Sequence, residues 1–456
     1  MRKNFRRLYV CAIFLTSMSY GLTAVAAGTP ITVTVSNPST NTSINSTFTG
    51  LSYEKSKMSS HAFSTSNTAF LTLLKRLGPS VIRIGGNSVD RTQWDPTGPG
   101  SVSGKVSPAD VDRFAAFVKA AGWKVIYGVN YKTSTPASAA SEAKYVANAL
   151  GNSLSSFEIG NEPDIYKIGV ATFEKGWENF HSAMLASVPN AIFSGPASAY
   201  NYSNFTIPFA KVEGSHISLL TQHYYRGNGK SSTATVDFLL SPNPKLITEL
   251  KSLWAAANAN HIAGGYRLTE ANSFYNGGAP GVSNTLGAAL WTIDFLFQNA
   301  MNGSTGVNFH GGGSPYSPLL DSNGTITKVQ PVYYGMYVFS MAANGTLMNT
   351  SISNSSVSLS TYAVKGSNGS IYVILNNKDK TQAFNVTMAF PSAFTQGEAM
   401  LLTAPSLTST SGTTLGGAAI ANNGSWTPTS KIQVMLTGNN WTINIPAGSA
   451  EFITMH

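Results

Sequence analysis

From Phe48 onward, short apolar runs alternate with amphipathic stretches, and the alternation repeats eight times. The runs are Phe48–Glu54, Ser80–Gly86, Lys124–Asn130, Ser155–Asn161, Ile192–Pro196, His216–Tyr224, Tyr266–Glu270 and Gly306–His310. Helical periods separate them, at Thr68–Leu77, Ala109–Ala121, Ala139–Leu150, Ala171–Ala186, Pro244–Asn260 and Leu286–Asn302, and Val332–Ala343 follows the last run. In Ala109–Ala121, Val111, Phe114, Phe117 and Val118 share one face while Asp110, Asp112 and Lys119 take the other, as expected for a surface helix over a core. The segment after the fifth run is irregular and has room only for a short helix. Strands that alternate with helices pair in parallel. Eight such units over roughly 290 residues fit an α/β fold of the (β/α)8, or TIM-barrel, class. A doubly wound open sheet is the rival, but no Gly-rich phosphate loop follows the first strand.

Beyond Asn344 the helical period stops. Ser355–Val364, Ser370–Leu375, Phe384–Phe390, Met400–Leu402, Lys431–Leu436 and Trp441–Ile445 are short alternating runs between Gly/Asn/Ser turns, which predicts an antiparallel β-sandwich. The alternation in Ile31-Thr32-Val33-Thr34-Val35 predicts a strand without a partner in the barrel, and it is expected to join the sandwich. The expected organisation is a leader over residues 1–27, N-terminal strands over 28–47, a barrel over 48–343 and a sandwich over 344–456.

The leader is read from its composition. Arg2, Lys3, Arg6 and Arg7 precede the apolar run Leu8–Leu15, and Ala24-Val25-Ala26-Ala27 offers small residues for cleavage. That is the pattern of a secretory signal peptide, too short to span a bilayer, and it predicts a secreted, extracellular or periplasmic protein. The chain holds 29 Lys/Arg against 20 Asp/Glu, a net charge of +9. Four of the basic residues and no acid fall in 1–27, so the mature chain carries +5. With no basic cluster, nucleic acid is an improbable partner; after removal of the leader no membrane partner is expected either. The one cysteine, Cys11, lies in the leader, so the mature fold is expected to be held by core burial without disulfides.

The chemistry centres on Ser155–Asp164, where apolar residues run into Asn161-Glu162-Pro163. Proline removes a backbone donor and steers the residue before it away from the right-handed helical region. The strand is therefore expected to end here with an acid at its tip, where a β/α barrel carries functional groups. The seventh run ends on a second acid, Glu270. Two carboxyls projecting from one rim are the minimal machinery of glycoside hydrolysis: one donates a proton to the leaving oxygen and the other attacks the anomeric carbon.

With Phe157-Glu158-Ile159-Gly160-Asn161-Glu162-Pro163, the sequence also carries Ile82-Arg83-Ile84-Gly85-Gly86, His223-Tyr224-Tyr225 and Thr269-Glu270…Tyr275-Asn276-Gly277-Gly278. Together these resemble glycoside hydrolase family 79, the β-glucuronidases and heparanases, within the clan of retaining (β/α)8 glycosidases. The resemblance covers the whole mature chain. It implies Glu162 as acid/base and Glu270 as nucleophile. By the same resemblance Asn161 binds the sugar 2-hydroxyl, Tyr225 hydrogen-bonds the nucleophile and Glu54 grips sugar hydroxyls. Gly277 and Gly278 would present backbone N–H groups to a uronate carboxylate, with phenolic donors from Tyr275 and Tyr333. Close approach of backbone to an anion is what paired glycines permit.

Asn87, after Gly85-Gly86, lies within reach of the cleft. Glu158 is read as structural, paired with Arg83. His223 and His310 sit at strand ends, where each either touches substrate or hydrogen-bonds a neighbour. Trp94 and Trp123 are candidate sugar platforms, although core packing is the commoner fate of tryptophan. No His/Asp/Glu cluster has metal-ligand spacing, and no cofactor is expected. These readings predict a retaining exo-β-glucuronidase acting on a carbohydrate that contains uronic acid. The alternatives are an endo-acting heparanase-like enzyme, a neutral-sugar glycosidase of the same clan, and a non-catalytic carbohydrate-binding protein.

Overall fold

The structure is a computed structural model that describes residues 29–38, 42–438 and 440–456. The leader and Cys11 lie outside the described residues. Eight parallel strands close into a barrel: Thr49–Glu54, Val81–Gly85, Lys124–Val129, Leu154–Ile159, Phe193–Ser198, Leu219–Asn228, Tyr266–Tyr275 and Ser304–His310. We number them barrel strands one to eight. Closure comes from strand eight pairing with strand one, Val307 to Thr49 through His310 to Ser52. The open-sheet alternative is thereby excluded.

Helix boundaries follow local chemistry. Pro108–Ala121 opens on a capping box in which Ser107 and Asp110 exchange hydrogen bonds, and it closes on Gly122 at φ 73°, the left-handed C-cap that glycine adopts without strain. The irregular segment after strand five holds a π-turn, Tyr202–Thr206, and a short helix, Ile207–Glu213.

Strands six and seven run on past the rim to Asn228 and Tyr275, pairing there as Gly227 with Phe274 and Asn228 with Tyr275. The sequence reading ended strand seven at Glu270. It stopped short because Ala271-Asn272-Ser273 breaks the apolar run, yet all three are buried. The extension carries the Tyr275–Gly278 turn above the barrel mouth.

The second unit is one curled twelve-stranded sheet. Thr29–Ser36 joins it as expected, but it pairs parallel with Phe384–Ala389 and antiparallel with Gly345–Ile352, so the sheet is mixed rather than purely antiparallel. Gly345–Ile352 and Ser449–Met455 are strands the alternation did not disclose. The sheet folds over its own core of Val33, Val373, Leu375, Phe384, Val386, Ile445 and Ile453.

Helix Leu286–Met301 lies between barrel and sheet and is buried on nearly every face. Phe297 stacks on Tyr362 of the sheet at 4.3 Å. Asp294 accepts from Tyr362 Oη at 3.0 Å and Asn376 Nδ2 at 2.7 Å, and it pairs with Lys378. A buried carboxylate is tolerable only when so satisfied, and here the satisfaction fixes the sheet on the barrel.

Candidate active site

Glu162 follows the end of strand four, with φ 53° and ψ 53°. Proline excludes the right-handed helical region, as the sequence predicts, but the residue takes the left-handed region instead of extending. With Gly160 also at φ 84°, the chain turns out of the strand after Ile159. Its backbone N–H donates to Ala197 O of strand five at 2.9 Å. Left-handed backbone at a non-glycine residue is costly and tends to mark functional sites.

Glu270 lies within strand seven, paired across the ladder with His223 of strand six. One ligand-type atom each from Glu162, His223 and Glu270 falls within 4.8 Å of the other two. The two acids thus converge across one cleft, although 108 positions separate them in the chain.

Arg83, on strand two, organises the floor of this cleft and is fully buried. Its Nε donates to Glu158 Oε2 at 2.6 Å, Nη1 to Glu270 Oε2 at 2.8 Å and Nη2 to Asn161 Oδ1 at 2.8 Å. Burial works against its charge, but Glu158 and then Glu270 outweigh that and raise its pKa above the ordinary value. Glu158 also accepts from Thr269 Oγ1 at 3.2 Å; it is the buried partner of Arg83 that the sequence suggested. Because arginine only donates, the contact to Asn161 fixes that amide with its oxygen toward Arg83 and its NH2 turned elsewhere. The Asn161 backbone N–H donates to Tyr166 Oη at 3.0 Å, and Tyr166 donates to Asp90.

The surroundings of Glu270 act on its charge. Burial raises the Glu270 pKa, but the imidazoles of His310 and His223, the Arg83 guanidinium and a 2.8 Å hydrogen bond from Tyr225 Oη together bring it down to about 2. Glu270 is therefore ionised at any ordinary pH. Glu162 Oε1 meets His223 Nδ1 at 3.0 Å, and 14% of its side chain is exposed. His223 itself is wholly buried, and its Nε2 has no hydrogen-bond partner among the described residues.

The trio Glu162, His223 and Glu270 has the spacing of a metal site, contrary to the expectation that no such cluster exists. The donor set fits a cation poorly, because both Glu270 oxygens are already taken by Arg83 and Tyr225 and Glu162 Oε1 already meets His223.

Glu54, at the end of strand one, accepts from the Ser88 backbone N–H at 2.7 Å and stands 3.8 Å from His310 Nε2. A Cβ on Gly86 would come within 2.6 Å of the Glu54 carboxyl, and Gly86 also has φ 68°, so glycine is required there twice over. His310 Nδ1 lies 3.2 Å from Ser52 Oγ and 3.5 Å from Glu270 Oε2. Asn87 is exposed beside Gly86.

Over the mouth, Tyr275 meets Tyr225 edge to face with ring centroids 6.4 Å apart, and Tyr316 lies 6.1 Å from Tyr225 and from His310. Burial raises the phenol pKa of Tyr225 and of Tyr316, and the Glu270 charge raises both further. Asn276, Gly277 and Gly278 take φ of 63°, 83° and 88°, a run of left-handed residues that only glycine follows easily. Among the described residues no acceptor takes the N–H of Gly277 or Gly278.

One expected site residue is absent from the cleft. Tyr333 is wholly buried on helix Pro331–Ala342, and its Oη donates to Leu73 O at 2.7 Å; the helix faces the barrel wall rather than its mouth. Trp123 and Trp94 are likewise buried, with Nε1 donating to Gly78 O at 2.9 Å and Ser141 Oγ at 3.1 Å. Sequence reasoning missed Arg83 and Tyr316 as parts of the site. A charged residue within the apolar run Val81–Gly85 was the signal for Arg83; Tyr316, in a loop, had none.

No family model matches the chain. It is 25% identical to a β-glucuronidase of Aspergillus niger over 313 residues, 58% of this chain and 57% of that protein. It is 26% identical to a β-glucuronidase of Neurospora crassa over 61% of this chain and 59% of that protein. Mouse heparanase is 28% identical over 48% of this chain and 43% of its own length. The matches thus span under three-fifths of the length of these relatives. Among solved structures, a 4-O-α-L-rhamnosyl-β-D-glucuronidase from Fusarium oxysporum 12S, in complex with Rha-GlcA, superposes with a TM-score of 0.80 at 22% identity, covering 93% of this chain and all of that one. An arabinofuranosidase of family 51 from Xanthomonas axonopodis pv. citri superposes with a TM-score of 0.71 at 15% identity, covering 94% of this chain and all of that one. The barrel with its added β-domain is an architecture shared with glycoside hydrolases.

Proposed function

We propose that this protein is a secreted retaining exo-β-glucuronidase of the family 79 type, which removes terminal β-linked glucuronic acid from an oligosaccharide or glycoconjugate. The observation that carries this reading is the pair Glu162 and Glu270: two carboxyls in one cleft, Glu270 held ionised by its neighbours, with an oxygen of each within 4.8 Å of the other. A nearest approach of this order is compatible with the retaining arrangement, in which the carboxyl groups stand about 5–5.5 Å apart.

Glu270, ionised, attacks the anomeric carbon and forms the glycosyl–enzyme bond as the aglycone oxygen leaves. Glu162 donates its proton to that oxygen and then, as a base, takes a proton from the water that cleaves the intermediate. Asn161, its NH2 turned away from Arg83, serves the 2-hydroxyl, and Glu54 grips further hydroxyls. The open N–H groups of Gly277 and Gly278 suit the uronate carboxylate, with Tyr275 beside them. The named relatives support glucuronate as the sugar. The heparanase match favours a second reading, endo cleavage of a polymer.

The test is turnover of an aryl β-glucuronide against the matching glucoside, with Glu270→Ala as control. Selective hydrolysis of the glucuronide, abolished in the variant, supports the reading. Near-normal rates in the variant, preference for the glucoside, or binding without product would overturn it. Product sizing on a polymer separates exo action, which yields monosaccharide only, from endo action.

A further inference from the structure

A catalytic acid that protonates the glycosidic oxygen stands on the leaving-group side of the scissile bond. The elements beyond Glu162 therefore border the path along which the aglycone lies. Two loops do so: residues 163–169 after strand four and residues 199–206 after strand five. They are locked together by one side chain. Asp164, two positions after the acid, accepts from the backbone N–H of Ala199 at 2.7 Å, Tyr200 at 3.1 Å and Asn201 at 3.0 Å. The Glu162 N–H donates to Ala197 O in the same segment. The backbone of Tyr200 is thus fixed relative to the catalytic acid.

At this fixed point the chain exposes an aromatic ring. Tyr200 is 71% exposed, the highest value among the large hydrophobic side chains of the described residues, and Ile165 and Ile168 of the partner loop are exposed as well. Single exposed apolar residues are ordinary. Here three lie on two loops tied to the catalytic acid, one of them aromatic with its backbone held in place. Pyranose rings present apolar C–H faces that suit an aromatic plane.

We propose that Tyr200 is the stacking platform for the first sugar of the leaving group, so that the natural aglycone is a saccharide. This rests on the glycosidase reading above. The recognition is apolar and ring-shaped, and the hydroxyl of Tyr200 is dispensable.

The test compares kcat/KM for two substrates in the wild type, Tyr200→Ala and Tyr200→Phe. One is a disaccharide with glucuronic acid β-linked to a hexose; the other is β-glucuronosyl fluoride, which has no aglycone ring. In Tyr200→Ala the ratio of disaccharide to fluoride is expected to fall about 3- to 10-fold, the range of an aromatic stacking contact, mainly through KM. In Tyr200→Phe the ratio stays within about twofold of the wild type, because the ring remains. An unchanged ratio in Tyr200→Ala, or an equal loss on both substrates, overturns the proposal alone. A wild type that turns over neither substrate overturns the glycosidase reading and this one with it.

Discussion

Arg83 joins the two halves of the site: it holds Glu270 Oε2 at 2.8 Å while its neighbouring nitrogen holds Asn161 Oδ1 at the same distance. Its third contact, to Glu158, is buried on both sides. Removing the guanidinium leaves Glu158 buried without its cation and Glu270 with only the imidazoles of His310 and His223 beside it. Breaking a buried pair from one side costs about 3–5 kcal/mol. Arg83→Gln should therefore lower the urea midpoint sharply and abolish turnover. The double variant Arg83→Gln/Glu158→Gln should recover part of the stability and none of the activity. Equal midpoints for wild type and single variant would contradict the role given to this arginine.

Tyr225 donates to the other oxygen of Glu270 and helps to hold its pKa down to about 2. A hydrogen bond to a charged group is worth about 1.5–3 kcal/mol, or roughly one to two pKa units. In Tyr225→Phe the carboxyl protonates at higher pH. If Glu270 is the nucleophile proposed above, attack requires the carboxylate, and the acid limb of kcat/KM on an activated aryl glucuronide should move up by about one unit. A limb that stays in place would mean that Arg83 and the two imidazoles fix the ionisation without the phenol.

His223 holds Glu162 Oε1 at 3.0 Å from a fully buried position. On the proposed mechanism it is a positioning residue, acting through the acid rather than on the sugar. In His223→Ala, kcat should fall about 10- to 100-fold on a substrate whose leaving group needs protonation, and much less on an activated aryl glucuronide. Equal losses on both would assign His223 to the fold instead.

The barrel was legible because its signal is local and repeated: each strand is a short apolar run, and the helices show their period. Glu162 and Glu270 were legible because each stands at a break in such a run. What escaped was non-local. Tyr333 carries a polar handle at a plausible position, but its partner is Leu73 O, 260 positions away, and nothing near it says which way helix Pro331–Ala342 faces. Arg83 reads as one charge in an apolar strand; that it binds the side chains of Ser52, Glu158, Asn161 and Glu270 follows only from closing the barrel. Gly345–Ile352 and Ser449–Met455 alternate poorly because the first sends Leu347 to one core and Met348 to the other, and the second is almost entirely buried.

Gly86 leaves room for Glu54. A methyl group there would press within 2.6 Å of the carboxyl on a backbone with φ 68°. Gly86→Ala should displace Glu54 and raise KM for glucuronides by about tenfold, equivalent to about 1.4 kcal/mol of binding, with a smaller change in kcat. An unchanged KM would show that Glu54 does not touch the sugar.

Far from the cleft, Glu451 of the curled sheet is wholly buried, and neither of its carboxyl oxygens has a hydrogen-bond partner among the described residues. Burial pushes its pKa up to about 8. Between the ordinary carboxylate range and pH 8 the folded protein holds a proton here that the unfolded chain has released. Stability from this group is thus fully present at low pH and lost as pH rises through that window. Glu270 has the opposite sign, since its depressed pKa contributes stability above the ordinary range that is lost as pH falls toward 2. The two effects occupy separate windows and can be read apart. In Glu451→Gln, unfolding stability relative to the wild type should grow between pH 5 and pH 8 by an amount on the order of 3 kcal/mol. Urea midpoints at three pH values in that range measure it, and parallel curves for the two proteins would show that Glu451 does not titrate there.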